Sequence, residues 1–96
     1  MTKAEVVNII ANATGLTKVE TEAVVNGFIT TIRDSLKEGK GIEIRGFGTF
    51  KVREKQPRIA RNPRTGEKVN IPKKFVPVFK PSKDLKNIID KEHKIQ

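Results

Sequence analysis

The sequence contains no cysteine, no tryptophan and no tyrosine, and it has a single histidine. Without cysteine the chain forms no disulfide and offers no thiolate to a metal. The one histidine, His93, has no second imidazole nearby to complete a metal site, so we expect no metal and no other cofactor. No nucleophile is paired with a base in the residue pattern, so we expect neither catalysis nor a small-molecule substrate.

Long apolar runs are also missing. No stretch approaches the roughly 20 apolar residues that a membrane-spanning helix needs. The first ten residues, MTKAEVVNII, place Glu5 and Asn8 among the apolar side chains, which does not fit a secretory signal. We therefore expect a soluble, cytoplasmic chain without a membrane partner, and its 96 residues suit one domain spanning positions 1–96.

The positive charge is concentrated in one third of the chain. Residues 51 to 83 hold eleven Lys and Arg against two Glu, a net of +9 that equals the formal charge of the whole protein. A solubilising surface would intersperse both signs, so this segment predicts an anionic partner, with nucleic acid the first candidate. A solvated basic face without a partner is the plainer alternative.

The first 40 residues have the pattern of a helical hairpin. Capping boxes, Thr2 to Glu5 and Thr17 to Glu20, open two amphipathic runs, and Gly15 and Gly39 end them. The apolar stripe of the second run is wider than one short helix can cover, which predicts a dimer interface. The predicted dimer core comprises Phe28, Ile29, Ile32, Leu36, Ile44, Phe47, Phe50 and Phe79.

The period of the apolar pattern changes from 3.6 to 2 after Gly41, which predicts a sheet over residues 41–81. Gly46-Phe47-Gly48 suits a tight strand reversal whose aromatic ring turns back onto the core. Apolar residues are nearly absent from 51 to 68, so we expect a hairpin arm, about residues 53–75, with its tip near Pro63 to Gly66 in solvent. Pro72 and Pro77 fit only an edge strand or a bulge.

The end of the chain predicts a short helix over 82–91, capped by Ser82, and a fraying tail over 92–96. The fold class is therefore α+β.

The aromatic residues indicate which kind of nucleic acid the chain binds. Readers of single strands and RNA stack bases on exposed aromatic rings, whereas the five Phe of this chain lie in apolar strand or helix patterns. A two-stranded ribbon carrying basic side chains fits a duplex groove, whose walls present phosphates. Double-stranded DNA is therefore the expected partner.

Three segments resemble the HU/IHF family of bacterial histone-like DNA-binding proteins. They are GFGTFKVR at Gly46 to Arg53, RNPRTGE at Arg61 to Glu67, and VPVFKPSKDLK at Val76 to Lys86. The resemblance covers roughly residues 1 to 91. It implies an intertwined dimer of helical hairpins (1–40) and three-stranded antiparallel sheets, extended by β-ribbon arms that lie in the DNA minor groove.

The resemblance also implies site residues. Pro63 would be the wedge that intercalates at the arm tip. The expected DNA-binding residues are Lys3, Arg53, Lys55, Arg58, Arg61, Asn62, Pro63, Arg64, Lys68, Lys73, Lys74, Lys80, Lys83 and Lys86.

The implied function is a non-enzymatic, nucleoid-associated protein that bends and condenses DNA largely without sequence specificity. The homodimer is the expected assembly, with a heterodimer as the alternative. Ala60 and Ser82 stand where glycine is common in the family, and an IHF-like, site-preferring cofactor of recombination or transcription remains the alternative function. A basic module that grips an acidic protein or anionic lipid is a further one.

Overall fold

The computed structural model describes residues 1 to 94, and the chain divides into two compact units, Met1–Ser35 and a second from Leu36 onward. Helix α1 spans Lys3–Thr14. The Thr2 hydroxyl accepts the Glu5 N–H at 3.3 Å, and Gly15 ends the helix in the left-handed region at φ 79°. Both ends lie where the sequence predicts them.

Helix α2 spans Lys18–Lys37 and begins with a complete capping box. The Thr17 hydroxyl accepts the Glu20 N–H at 3.1 Å, and the Thr17 N–H donates to Glu20 Oε1 at 3.1 Å. Hydrogen bonds from Thr17, first from its side chain and then from its backbone, lower the pKa of Glu20 below its ordinary value of 4.5. The predicted starts of both helices and the turn between them at Gly15 are thus confirmed.

The described strands form two antiparallel sheets. The three-stranded sheet has the order β1-β2-β5, with β1 at Ile42–Ile44, β2 at Gly48–Lys55 and β5 at Lys74–Pro81. The two-stranded sheet pairs β3 at Arg58–Arg61 with β4 at Lys68–Ile71. Pro77 lies in β5, an edge strand, where its missing N–H breaks no ladder.

The two sheets are successive parts of one hairpin with a break between them. The base ribbon, β2 with β5, ends at the pair Lys55–Lys74, and the outer ribbon, β3 with β4, begins at Arg58–Ile71. Gln56 and Pro57 on one side, and Pro72 and Lys73 on the other, lie outside both ladders. We call these four residues the break.

Three phenylalanines pack at the inner end of the base ribbon. Phe79 lies 5.3 Å from Phe47 and 4.8 Å from Phe50 between ring centroids, both at tilted angles. A Cβ on Gly48 would lie 2.6 Å from the Lys80 carbonyl oxygen and 2.6 Å from the Phe79 ring, so only glycine fits. The expected reversal at 46–48 therefore brings Phe47 onto the other aromatics, although Phe47 stays 44% exposed.

Helix α3 spans Lys83–Lys94, capped by Ser82, whose hydroxyl accepts the Leu85 N–H at 3.1 Å. The expected end at residue 91 was wrong, since three more residues are helical. Lys94 pairs with Asp90 one turn earlier at 2.9 Å, and Lys91, His93 and Lys94 suit the negative end of the helix dipole. The last two residues of the predicted tail lie outside the described part of the chain.

Candidate nucleic-acid interface

The base ribbon carries its cations on one face. Directly opposed residues of an antiparallel pair share a face and neighbours along a strand alternate. Lys51, Arg53 and Lys55 of β2 therefore share a face with Lys74 and Lys80 of β5, and all five are exposed. We call this surface the basic face. It includes Lys51, which the predicted site omits and which the alternation with Arg53 and Lys55 could have found.

The opposite face of the base ribbon is mostly apolar. It carries Phe50 and Val52 from β2, opposed by Phe79 and Pro77 from β5, and Glu54 opposed by Phe75 at the outer end. The cations of the base ribbon therefore lie on one face, which also carries Val76 and Val78, whereas the other face is apolar except for Glu54.

Two pairs of like charges lie directly across the ladders. Lys55 opposes Lys74 at the outer end of the base ribbon, and Arg61 opposes Lys68 at the far end of the outer ribbon. All four side chains are exposed. Like charges in this arrangement destabilise a hairpin, and an anion bound between them removes the repulsion. The pairs therefore mark two points where the ribbon is suited to receive anionic groups.

A concavity of about 380 Å³ lies where the base ribbon meets the break. Four predicted site residues line it, namely Arg53, Lys55, Arg58 and Lys74, together with Gln56 and one carboxylate, Glu54, and Ile71 and Pro72 supply an apolar wall. The strand register brings these cations together from two separate stretches of sequence, residues 53 to 58 and Lys74. The size and charge of the concavity suit one phosphate group with its hydration.

The tip of the arm is a tight, hydrogen-bonded turn at Pro63 to Thr65. Asn62 holds it in place: its Oδ1 accepts the Arg64 N–H at 2.9 Å, its N–H donates to the Glu67 carbonyl at 2.8 Å, and its carbonyl accepts the Gly66 N–H at 2.8 Å. Gly66 takes the left-handed conformation at φ 76° that closes the turn. Asn62 thus acts as a turn residue, and Pro63 and Arg64 are left exposed.

The outer ribbon presents cations on both faces. Arg61 and Lys68 share one face with Ile59 and Asn70, whereas Arg58 shares the other with Ala60, Val69 and Ile71. Such a ribbon can contact both walls of a groove at once.

Lys73 lies apart from the other cations that were predicted for the arm. Its ammonium lies 3.3 Å from Glu54 Oε1 and 5.8 Å from the centroid of the Phe75 ring, both residues of the apolar face. Its neighbour Lys74 belongs to the basic face.

The remaining predicted contacts lie away from the arm. Lys80 and Lys83 line a shallow concavity of about 380 Å³ together with Arg45, and Lys86 follows on α3. Lys3 belongs to the N-terminal unit, where its ammonium donates to Asn26 Oδ1 at 2.9 Å.

The predicted dimer core is largely uncovered in the single chain. Phe28, Ile29, Phe47 and Phe79 are exposed, and Ile32, Leu36, Ile44 and Phe50 are half-buried. Among the described residues only Val7, Ala11, Thr21 and Gly48 are buried. The single chain therefore leaves its predicted dimer core exposed or half-buried.

Residues 1 to 94 contain no group of three or more His, Asp or Glu side chains placed to hold a metal ion. Over the same span, no helix has both the length and the apolar character required to traverse a bilayer.

Comparison with known proteins gives consistent matches over almost the whole chain. The model of the family described as "Bacterial DNA-binding protein" matches residues 1–90. DNA-binding protein HU 1 of Bacillus subtilis is 45% identical over 93% of this chain and 97% of its own length. The integration host factor subunit beta of Hahella chejuensis is 44% identical over 94% of this chain and 93% of its own.

A cocrystal structure of Anabaena HU with DNA is similar in fold. It superposes with a TM-score of 0.86 at 35% identity, over 93% of this chain and 97% of that one.

Proposed function

The chain belongs to the bacterial DNA-binding protein family of HU and IHF, and we propose that it binds duplex DNA largely without sequence preference, in the minor groove, and bends and condenses it. Membership of this family confirms that the protein is an architectural DNA-binding protein and not an enzyme. We further propose that it acts in the bacterial nucleoid.

The observation that carries the proposal is the basic ribbon with its exposed tip. Cations line one face of its base, surround the concavity at the break and occupy both faces of its outer part. The like-charge pairs Lys55–Lys74 and Arg61–Lys68 leave repulsion that phosphates would neutralise. Contacts of this kind position a protein on DNA without reading its bases, which supports binding without strong sequence preference.

Pro63 is proposed as the wedge at the tip. It lies at the start of an exposed turn that Asn62 holds in shape, flanked by Arg61 and Arg64. Proline presents a rigid apolar ring and no N–H that would be left without a partner, so it suits insertion between base pairs. HU and IHF are themselves the standard examples of minor-groove kinking, and the wedge mechanism is taken from that family.

A dimer is proposed as the binding unit. Phe28 is 55% exposed and Val24 is 66% exposed on α2, in a chain with only four buried residues in its described part. Burying this stripe against a second copy stabilises the assembly at about 25 cal/mol per Å² of apolar area. The second copy also supplies a second arm, so that the DNA is held at two points.

The test of the wedge is Pro63→Ala, with Pro77→Ala as a matched control at an exposed proline of the edge strand. Fluorescence transfer between the ends of a labelled duplex measures bending, and circular dichroism checks the fold. We expect Pro63→Ala to bend DNA less at saturating protein, while Pro77→Ala bends it as the unmodified protein does. Unchanged bending by Pro63→Ala would reduce Pro63 to a turn residue.

The similar identities to an HU and to an IHF subunit keep a site-preferring role as the second candidate. Competition between a candidate site and bulk DNA at one salt concentration separates them. We expect bulk DNA to compete within about tenfold of any chosen site, a ratio well below the 10³ or more typical of specific binders.

A further inference from the structure

The break is the least constrained part of the ribbon. Pro57 and Pro72 carry no N–H, and neither they nor Gln56 and Lys73 take part in a ladder. Side-chain contacts at the break are therefore free to influence the direction of the outer ribbon, and those of Lys73 are an ion pair and a cation–ring contact, both to the base ribbon.

Lys73 reaches from the break back to the base ribbon. Glu54 is the penultimate residue of β2, and its directly opposed partner is Phe75. The Lys73 ammonium contacts both, at 3.3 Å from the carboxylate and 5.8 Å from the ring centroid. It therefore links one break residue to both strands of the rigid ladder.

The same contacts hold Lys73 away from the basic face. Glu54 and Phe75 belong to the apolar face, and an extended chain directs successive side chains to opposite sides. Lys74, one residue later, lies on the basic face with Arg53 and Lys55. Glu54 is one of two acidic residues among positions 51 to 83, and it also lines the concavity at the break, so Lys73 neutralises a carboxylate that would otherwise repel phosphates there.

We propose that Lys73 is a positioning residue that sets the direction of the arm through Glu54 and Phe75, and that it does not bind phosphate. This inference rests on the proposed function. It separates two adjacent lysines that look equivalent in the sequence: Lys74 binds DNA, and Lys73 holds the ribbon that carries Lys74.

The test compares Lys73→Ala with Lys74→Ala on the same labelled duplex. The slope of log affinity against log salt falls in magnitude by about 0.9 for each phosphate that the protein no longer neutralises. We expect this decrease for Lys74→Ala and no change of slope for Lys73→Ala. Bending at saturating protein is measured in parallel, and we expect Lys73→Ala to change the transfer efficiency.

Two further variants test whether the effect passes through Glu54. Glu54→Gln is expected to change bending as Lys73→Ala does, and the two changes together to do no more than either alone. The exchanged pair, Glu54→Lys with Lys73→Glu, keeps the net charge and places an ammonium opposite Phe75, so it is expected to restore bending. Thermal melts confirm that each variant folds.

The outcomes are distinguishable. Three results would each overturn the positioning role. The salt slope of Lys73→Ala could fall in magnitude as much as that of Lys74→Ala, or Lys73→Ala could bend DNA as the unmodified protein does. The third result is that the exchanged pair fails to restore bending. A slope that stays unchanged in Lys74→Ala contradicts the proposed binding face instead.

Discussion

Phe28 on α2 and Lys74 on β5 are both exposed in the single chain, yet their surroundings differ in kind. The first 50 residues carry six basic and six acidic side chains, and their uncovered surface includes an apolar stripe. Residues 51 to 83 carry the entire net charge, and the exposed surface of the ribbon there combines its cations with apolar side chains such as Ile59 and Phe75.

The chemistry of each exposed surface indicates the kind of partner that would cover it. Burying apolar area against another protein releases water and is favourable whatever the salt concentration. A dense cationic surface gains instead by displacing counterions from a polyanion, a gain that falls steeply with added salt. The two regions therefore predict two partners, a second copy and DNA. Variants in the apolar stripe should mainly weaken dimerisation, and variants in the basic ribbon should mainly weaken DNA binding.

The largest effect is expected from a charge in the apolar stripe. Phe28→Asp places an unpaired carboxylate in the proposed interface, so we expect loss of the dimer and of most helical signal at micromolar protein. Sedimentation and circular dichroism measure both. Thr30→Asp, about 200° around the same helix, is the control that should remain dimeric; equal disruption by both would place the interface elsewhere.

The next effect concerns the basic face. Removing the opposed lysines together, Lys55→Ala with Lys74→Ala, should lower the magnitude of the salt slope for duplex binding by about 1.8, at about 0.9 per phosphate neutralised. Titrations over a range of salt concentrations give the slope. The dimer should persist, and a slope unaffected by the double change would show that the basic face does not meet DNA.

A smaller effect, and a stabilising one, is expected on the free energy of unfolding of the free protein. Lys74→Glu replaces the repulsive pair with Lys55 by an attractive one, which should stabilise the free protein by roughly 0.2–1 kcal/mol while weakening DNA binding. Urea unfolding measures the first and titration the second. Loss of stability in this variant would contradict the premise that repulsion between Lys55 and Lys74 destabilises the free ribbon.

The smallest effect lies in the helical unit and depends on pH. The folded state lowers the pKa of Glu20, so this carboxylate adds stability above its ordinary pKa of 4.5 and loses it as the pH falls through the folded value. Glu20→Gln should therefore be less stable than the unmodified protein at pH 7, with the difference shrinking in acid. A difference that is constant with pH in thermal melts would show that the charge of Glu20 plays no part.

Much of the fold could be predicted from local patterns. The capping boxes at Thr2 and Thr17, the left-handed Gly15 and the exposed Pro63 turn depend on neighbouring residues only, and each is found where the sequence places it. The length of α3 was underestimated because the charges of its last turn read as a frayed tail. The Asp90–Lys94 pair and the helix dipole make the same charges compatible with helix.

The face on which each lysine lies could not be predicted in the same way. Lys73 and Lys74 are identical and adjacent, and only the pairing of Lys55 with Lys74 and the position of the break assign them to different faces. Lys51 is different: its alternation with Arg53 and Lys55 along β2 was enough to place it on their face, and the predicted site omitted it all the same.

The caps, the turns, the basic ribbon and the need for partners could all be predicted from the sequence, because they follow from backbone propensity, composition and charge over short distances. The tertiary structure alone decided which cations converge and which one is turned aside onto Glu54 and Phe75. The physical reason is the two-residue period of a strand: a shift of register by one residue would exchange the two faces, and only the long-range pairing sets that register.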